Sequence, residues 1–108
     1  MTDAFAAAAE PTRRRLLQIL AHGPQYAGDL AGHFDVTRSA ISQHLGVLAE
    51  AGLVSAEQEG RRRRYRIDPR GIARLQAEIA SFWTHELDEL VRDAATLAGR
   101  STTPEEHP

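Results

Sequence analysis

Five of the six residues from 61 to 66 are arginine, namely Arg61, Arg62, Arg63, Arg64 and Arg66, with Tyr65 among them. Guanidinium forks packed this closely suit a polyanion, whose phosphates they neutralise while counterions leave. A second polar group stands upstream at Arg38, Ser39, Ser42, Gln43 and His44. Arginine can hold a guanine edge or a phosphate, and glutamine can pair with adenine through two hydrogen bonds. Serine serves either bases or backbone, and His44 fits either a phosphate contact or a seal between its helix and the core. The chemistry on offer is recognition of duplex DNA.

Other chemistries find little support. The chain has no cysteine, so disulfides, thiol redox chemistry, thiolate zinc sites and cysteine nucleophiles are excluded. His22, His33 and His44 lack ligand spacing, and no Ser/His/acid arrangement, glycine-rich phosphate loop or paired carboxylate emerges. No catalytic residue is expected. Near the C-terminus His85 and Asp88 lie three apart with Glu78 and Glu89 nearby, and two copies of such a helix can assemble nitrogen and oxygen ligands. A histidine among acids on an exposed helix is more simply a solvated residue, so no metal site and no cofactor are assigned.

A formal net charge of -2 hides a division along the chain. Residues 11 to 66 carry nine arginines against five acids, whereas residues 67 to 108 carry four against eight. Where charge lies, not its total, decides the partner. All thirteen basic residues are arginine, which codon bias also explains, but the clustering stands either way. No apolar run is long enough for a membrane span, and no basic-then-apolar leader opens the sequence. A cytoplasmic protein without a membrane partner is the expectation.

The elements that must position the arginines follow from periodicity. Phe5 to Ala9 forms a short apolar helix, and Pro11 starts another that runs to His22 with Leu16, Leu17, Ile19 and Leu20 on one side. Ala27 to Phe34 is a third short helix. After a break at Asp35 and Val36, Thr37 caps a helix to about Ala51 that buries Ile41, Leu45 and Leu48 and closes at Gly52. Ser39, Gln43 and Gly46 then face outward, flanked by Arg38, Ser42 and His44. Strands at Leu53 to Ala56 and Arg62 to Ile67 enclose a turn from Glu57 to Arg61. On the second strand Arg62, Arg64 and Arg66 make an all-cationic face, while Tyr65 and Ile67 pack inward.

Asp68 and Pro69 open the last helix, whose apolar stripe through Ile79, Phe82, Trp83, Leu87 and Leu90 outruns what one small core can cover. These residues, with Phe5, are the expected dimer interface. The fold class is mostly α with a small β-hairpin, a winged helix-turn-helix dimerising through its N- and C-terminal helices. Residues 1–98 form the DNA-binding and dimerisation domain, and residues 99–108 are expected as a disordered tail.

The order and wording of these segments resembles the ArsR/SmtB family of bacterial winged-helix repressors. The likeness runs through Pro11-Thr12-Arg13-Arg14, Gly28-Asp29-Leu30-Ala31, Ser42-Gln43-His44-Leu45, Ala51-Gly52-Leu53-Val54, Gly60-Arg61-Arg62, Tyr65 to Pro69 and Phe82-Trp83. The resemblance implies a homodimer that represses transcription from a palindromic operator, with Ser39, Ser42, Gln43 and His44 reading DNA and the arginine hairpin as wing. It also implies a basic or polar residue at position 46, where this chain has glycine. Metal-sensing thiolates of the family are absent: Tyr26, Ala27 and Gly28 stand there instead. Two alternatives stay open, a metal-responsive repressor using the last helix and a winged-helix module that binds protein. The expected partners are double-stranded DNA and a second copy, with room for an unidentified small-molecule effector.

Overall fold

A computed structural model describes residues 3–101. The elements run α1 (Ala4–Ala9), α2 (Pro11–Leu20), β1 (Gln25–Tyr26), α3 (Ala27–Ala31), α4 (Arg38–Glu50), β2 (Val54–Glu59), β3 (Arg62–Ile67) and α5 (Pro69–Ser101). Four helix starts use a side-chain oxygen to take up an amide that has no partner within the helix. Asp3 accepts from Phe5 N at 3.0 Å, and Glu10, ahead of Pro11, accepts from Arg13 N at 2.8 Å. Thr37 Oγ1 accepts from Ala40 N, and Asp68 Oδ1 from Arg70 N, both at 3.0 Å.

The end of α4 is equally determined. Gly52 takes φ +79°, the left-handed conformation, which glycine adopts without a Cβ penalty. Its N–H donates to Ala49 O and that of Leu53 to Leu48 O, each at 3.0 Å, closing the helix with two nested hydrogen bonds. This sharp stop sends the chain directly into β2. Gly71 packs against the same turn, where a Cβ would lie 1.7 Å from Gly52 O.

The predicted stripe of α4 is the centre of the core. Ile41, Leu45 and Leu48 are at most 1% exposed and meet a layer that includes Leu16, Leu20, Leu30 and Leu53, all similarly buried. Each such side chain stabilises the fold by about 1.5–3 kcal/mol relative to exposure. Tyr65 points inward from β3, as expected, and Ile67 is half-buried.

The chain divides into two units, residues 1–76 and residues 77–108. In the first, α5 contributes buried Leu75 and half-buried Ile72. In the second, the described residues are helix alone, with Ile79 half-buried and Phe82, Trp83, Leu87, Leu90, Val91 and Leu97 all between 44% and 67% exposed. Phe82 and Trp83 meet edge to face at 5.2 Å between ring centres. No described helix is long and apolar enough to cross a membrane.

Several expectations need correction. The third helix stops at Ala31, three residues before Phe34, in a run of turns. A strand was missed: Gln25 and Tyr26 pair antiparallel with Tyr65 and Arg64, making a three-stranded sheet in the order β1-β3-β2. The hairpin is longer, since Val54–Glu59 pairs in full with Arg62–Ile67 and only Gly60 and Arg61 remain as turn. Gly60 supplies the positive φ that so short a hairpin turn favours, +63°. The last helix continues through Ser101, so the tail expected from residue 99 begins inside a helix; its remainder, residues 102–108, lies outside the described residues.

Candidate nucleic-acid interface

With one face of α4 committed to the core, the 100° step per residue turns the polar residues outward. Arg38, Ser39, Ser42 and Gln43 are all exposed. Gly46 stands on the same exposed side, with nothing within 4 Å of where its Cβ would be. The helix therefore offers four polar side chains and a stretch of bare backbone.

His44 differs from this set. It is half-buried, and its Nδ1 accepts from Arg13 Nη1 at 3.2 Å and lies 4.0 Å from Glu10 Oε1. Arg13 in turn donates from Nε to Ala7 O at 2.7 Å, so the imidazole anchors α4 to α2 and through it to α1. Partial burial works against ionisation of Glu10. The Arg13 amide, the nearby His44 and the other neighbouring donors outweigh it and hold that carboxyl below the usual range.

The wing is built by register. Ser55, Glu57 and Glu59 of β2 stand directly opposite Arg66, Arg64 and Arg62 of β3, and directly opposed residues share a face. The face expected to be purely cationic is therefore mixed. Arg64 lies 3.5 Å from Glu59, Arg66 lies 3.9 Å from Glu57, and Arg62 reaches Asp29 at 3.6 Å. These pairs are exposed, and surface ion pairs of this kind are weak enough to yield to a phosphate. All five arginines of residues 61–66 remain exposed.

Tyr26 braces this surface. Its hydroxyl donates to Glu59 Oε1 at 2.8 Å, and the Arg62 guanidinium lies 3.5 Å over its ring. The hydrogen bond holds Glu59 below the ordinary carboxylate range and pushes the Tyr26 phenol up. None of Tyr26, Asp29, Glu57 and Glu59 is in the expected site: a turn from Glu57 to Arg61 keeps both glutamates off the strand, and Tyr26 and Asp29 meet the hairpin only across the fold. A two-residue turn at Gly60-Arg61 would have put Glu59 opposite Arg62.

Among the described residues no three His, Asp or Glu side chains converge as a metal site. His85, Asp88 and Glu89 stand on the exposed part of α5.

Residues 10–56 match the model of a family described as bacterial regulatory protein, arsR family. The HTH-type transcriptional regulator Rv2034 of Mycobacterium tuberculosis is 46% identical over 84 residues, covering 78% of each chain. A crystal structure of a possible transcriptional regulator for arsenical resistance superposes with a TM-score of 0.77 at 57% identity, over 86% of this chain and 97% of that one. The homodimeric winged helix-turn-helix DNA-binding domain Mb0332 of Mycobacterium bovis gives a TM-score of 0.61 at 30% identity, covering 80% of each.

Proposed function

The chain belongs to the ArsR family of bacterial regulatory proteins, and on that premise we propose that it is a repressor of transcription binding a palindromic operator as a homodimer. The observation that carries this is the pairing of an exposed polar helix face, Arg38 to Gln43, with an exposed arginine hairpin that begins just after that helix ends. An α-helix fits the major groove, and a cationic hairpin beside it suits the flanking backbone. Ser39, Ser42 and Gln43 read bases; Arg61, Arg62, Arg64 and Arg66 bind phosphates, exchanging carboxylates for DNA. His44 sets the angle of the helix instead of reading DNA.

A second copy covers the stripe of α5 that includes Phe82, Trp83, Leu87 and Leu90, with Ile79 at its start. Phe5, 40% exposed on α1, offers a separate apolar contact for dimerisation. The unit up to Gln76 reads DNA, the helix from Ala77 pairs the copies, and the protein works in the cytoplasm on duplex DNA.

A mobility-shift series on the promoter DNA beside its own gene tests the reading. Binding should fall steeply with salt, since each phosphate contact releases counterions. Absence of any shift at low salt would remove the DNA-binding reading altogether.

A further inference from the structure

Gly28, on α3, touches the DNA-reading helix in an unusual way. A Cβ there would lie 2.8 Å from Nη2 of Arg38, the first residue of α4, so the guanidinium rests where only glycine leaves space. Both residues line a recess of about 200 Å³, together with Tyr26, Arg61, Arg62 and Arg63. Four guanidinium side chains from two separate elements thus border one small volume.

Their charges are unequally compensated. Arg62 is tied to Asp29 and stacked on Tyr26, so its charge is already met before any phosphate arrives. Among the described residues neither Arg38 nor Arg61 has a carboxylate within ion-pair distance, and Arg63 faces only the Tyr65 ring at 6.0 Å. Like charges that border one volume and lack a paired carboxylate are stabilised by an anion supplied from outside.

We propose that this recess seats one phosphodiester of the DNA backbone, held by Arg38 from the reading helix and by Arg61 and Arg63 from the wing. The inference rests on the DNA-binding reading and assigns roles within it. Arg38 becomes a phosphate ligand and not a base reader, and Gly28 is the residue that keeps its guanidinium in place. A duplex is favoured over a free anion because the recess is continuous with the exposed faces of both α4 and the hairpin. One phosphate gripped by both elements fixes the helix and the wing in a single register on the backbone.

Gly28→Ala separates this role from folding. The clash is with the far end of a flexible side chain, so the fold tolerates the methyl group while Arg38 is displaced. Affinities of wild type, Gly28→Ala and Arg38→Ala for the operator and for a random duplex are measured by fluorescence anisotropy across a salt series. Both variants should melt like wild type, lose affinity by the same factor on both duplexes, and show a salt slope shallower by about one. A loss confined to the operator would make Arg38 a base reader and overturn the proposal. Wild-type affinity and slope in Gly28→Ala would overturn it too. Inorganic phosphate should compete no better than chloride at equal ionic strength; stronger competition would make this a free-anion site. Failure of wild type to bind any duplex would instead sink the reading on which the proposal rests.

Discussion

Helices α4 and α5 carry similar apolar stripes with opposite fates. Ile41, Leu45 and Leu48 of α4 are covered within the chain to 1% exposure or less. On α5 the equivalent coverage ends after Leu75, and from Phe82 to Leu97 the large apolar residues stay 44% or more exposed. The contrast teaches that a stripe has to be read against the volume available to bury it. In α4 it specifies this fold, whereas in α5 it is left uncovered by its own chain, which is what the proposed second copy would bury.

The contrast is most directly broken at its packed end. Leu45→Ala should lower stability by about 2–5 kcal/mol, as in other buried leucine truncations. Gly71→Ala should be of comparable severity, because its methyl group meets the backbone of Gly52 and no side chain can swing aside. Urea unfolding measures both, and a near-neutral Gly71→Ala would mean that the start of α5 is free to shift.

At the exposed end, Trp83→Glu should give monomers by light scattering while retaining helical circular dichroism. A dimer that survived would put the interface off this stripe. On the reading face, Gln43→Ala should cost about 1–3 kcal/mol on the operator and leave random duplex nearly unchanged. Replacing Arg62 and Arg64 together by alanine should weaken every duplex alike. Equal losses on both DNAs for Gln43→Ala would take it out of the base-reading set.

The smallest effect concerns the wing. Glu59 has its folded pKa depressed by Tyr26, so its contribution to stability is present above the ordinary carboxylate range and disappears as pH falls through that lowered value. Tyr26 is shifted up, so its contribution is complete below the usual phenol pKa and is lost only as pH rises through the raised value. Glu59→Gln should flatten the acid limb of a stability-pH curve and bring the Tyr26 ultraviolet titration back toward the ordinary phenol range. An unmoved tyrosine titration would show that the bond is not formed in solution.

What was legible in the sequence is what short-range physics decides. The Thr37 cap, the buried spacing of residues 41, 45 and 48 and the Gly52 stop are each settled within a few residues, and all three stand in the structure. The missed features join distant positions. Two residues at Gln25 and Tyr26 have no strand signal of their own and become one only by pairing with Tyr65 and Arg64. The hold of Arg13 on His44 spans 31 residues, so nothing local to the histidine signals it. The cationic face was overestimated because the length of the turn, which decides whether Glu57 and Glu59 face the arginines, depends on how far the strands pair.

Nothing lies within 4 Å of the point where a side chain at Gly46 would begin, although the residue sits within α4, the helix proposed to read DNA. A larger residue there displaces no atom of the protein, and leaving the glycine in place forgoes about 1 kcal/mol of helix stability against alanine. The position is a free coordinate for evolution or engineering: on the proposed reading, a change to arginine, lysine or glutamine would lengthen the footprint or shift the preferred operator while the core beneath is untouched.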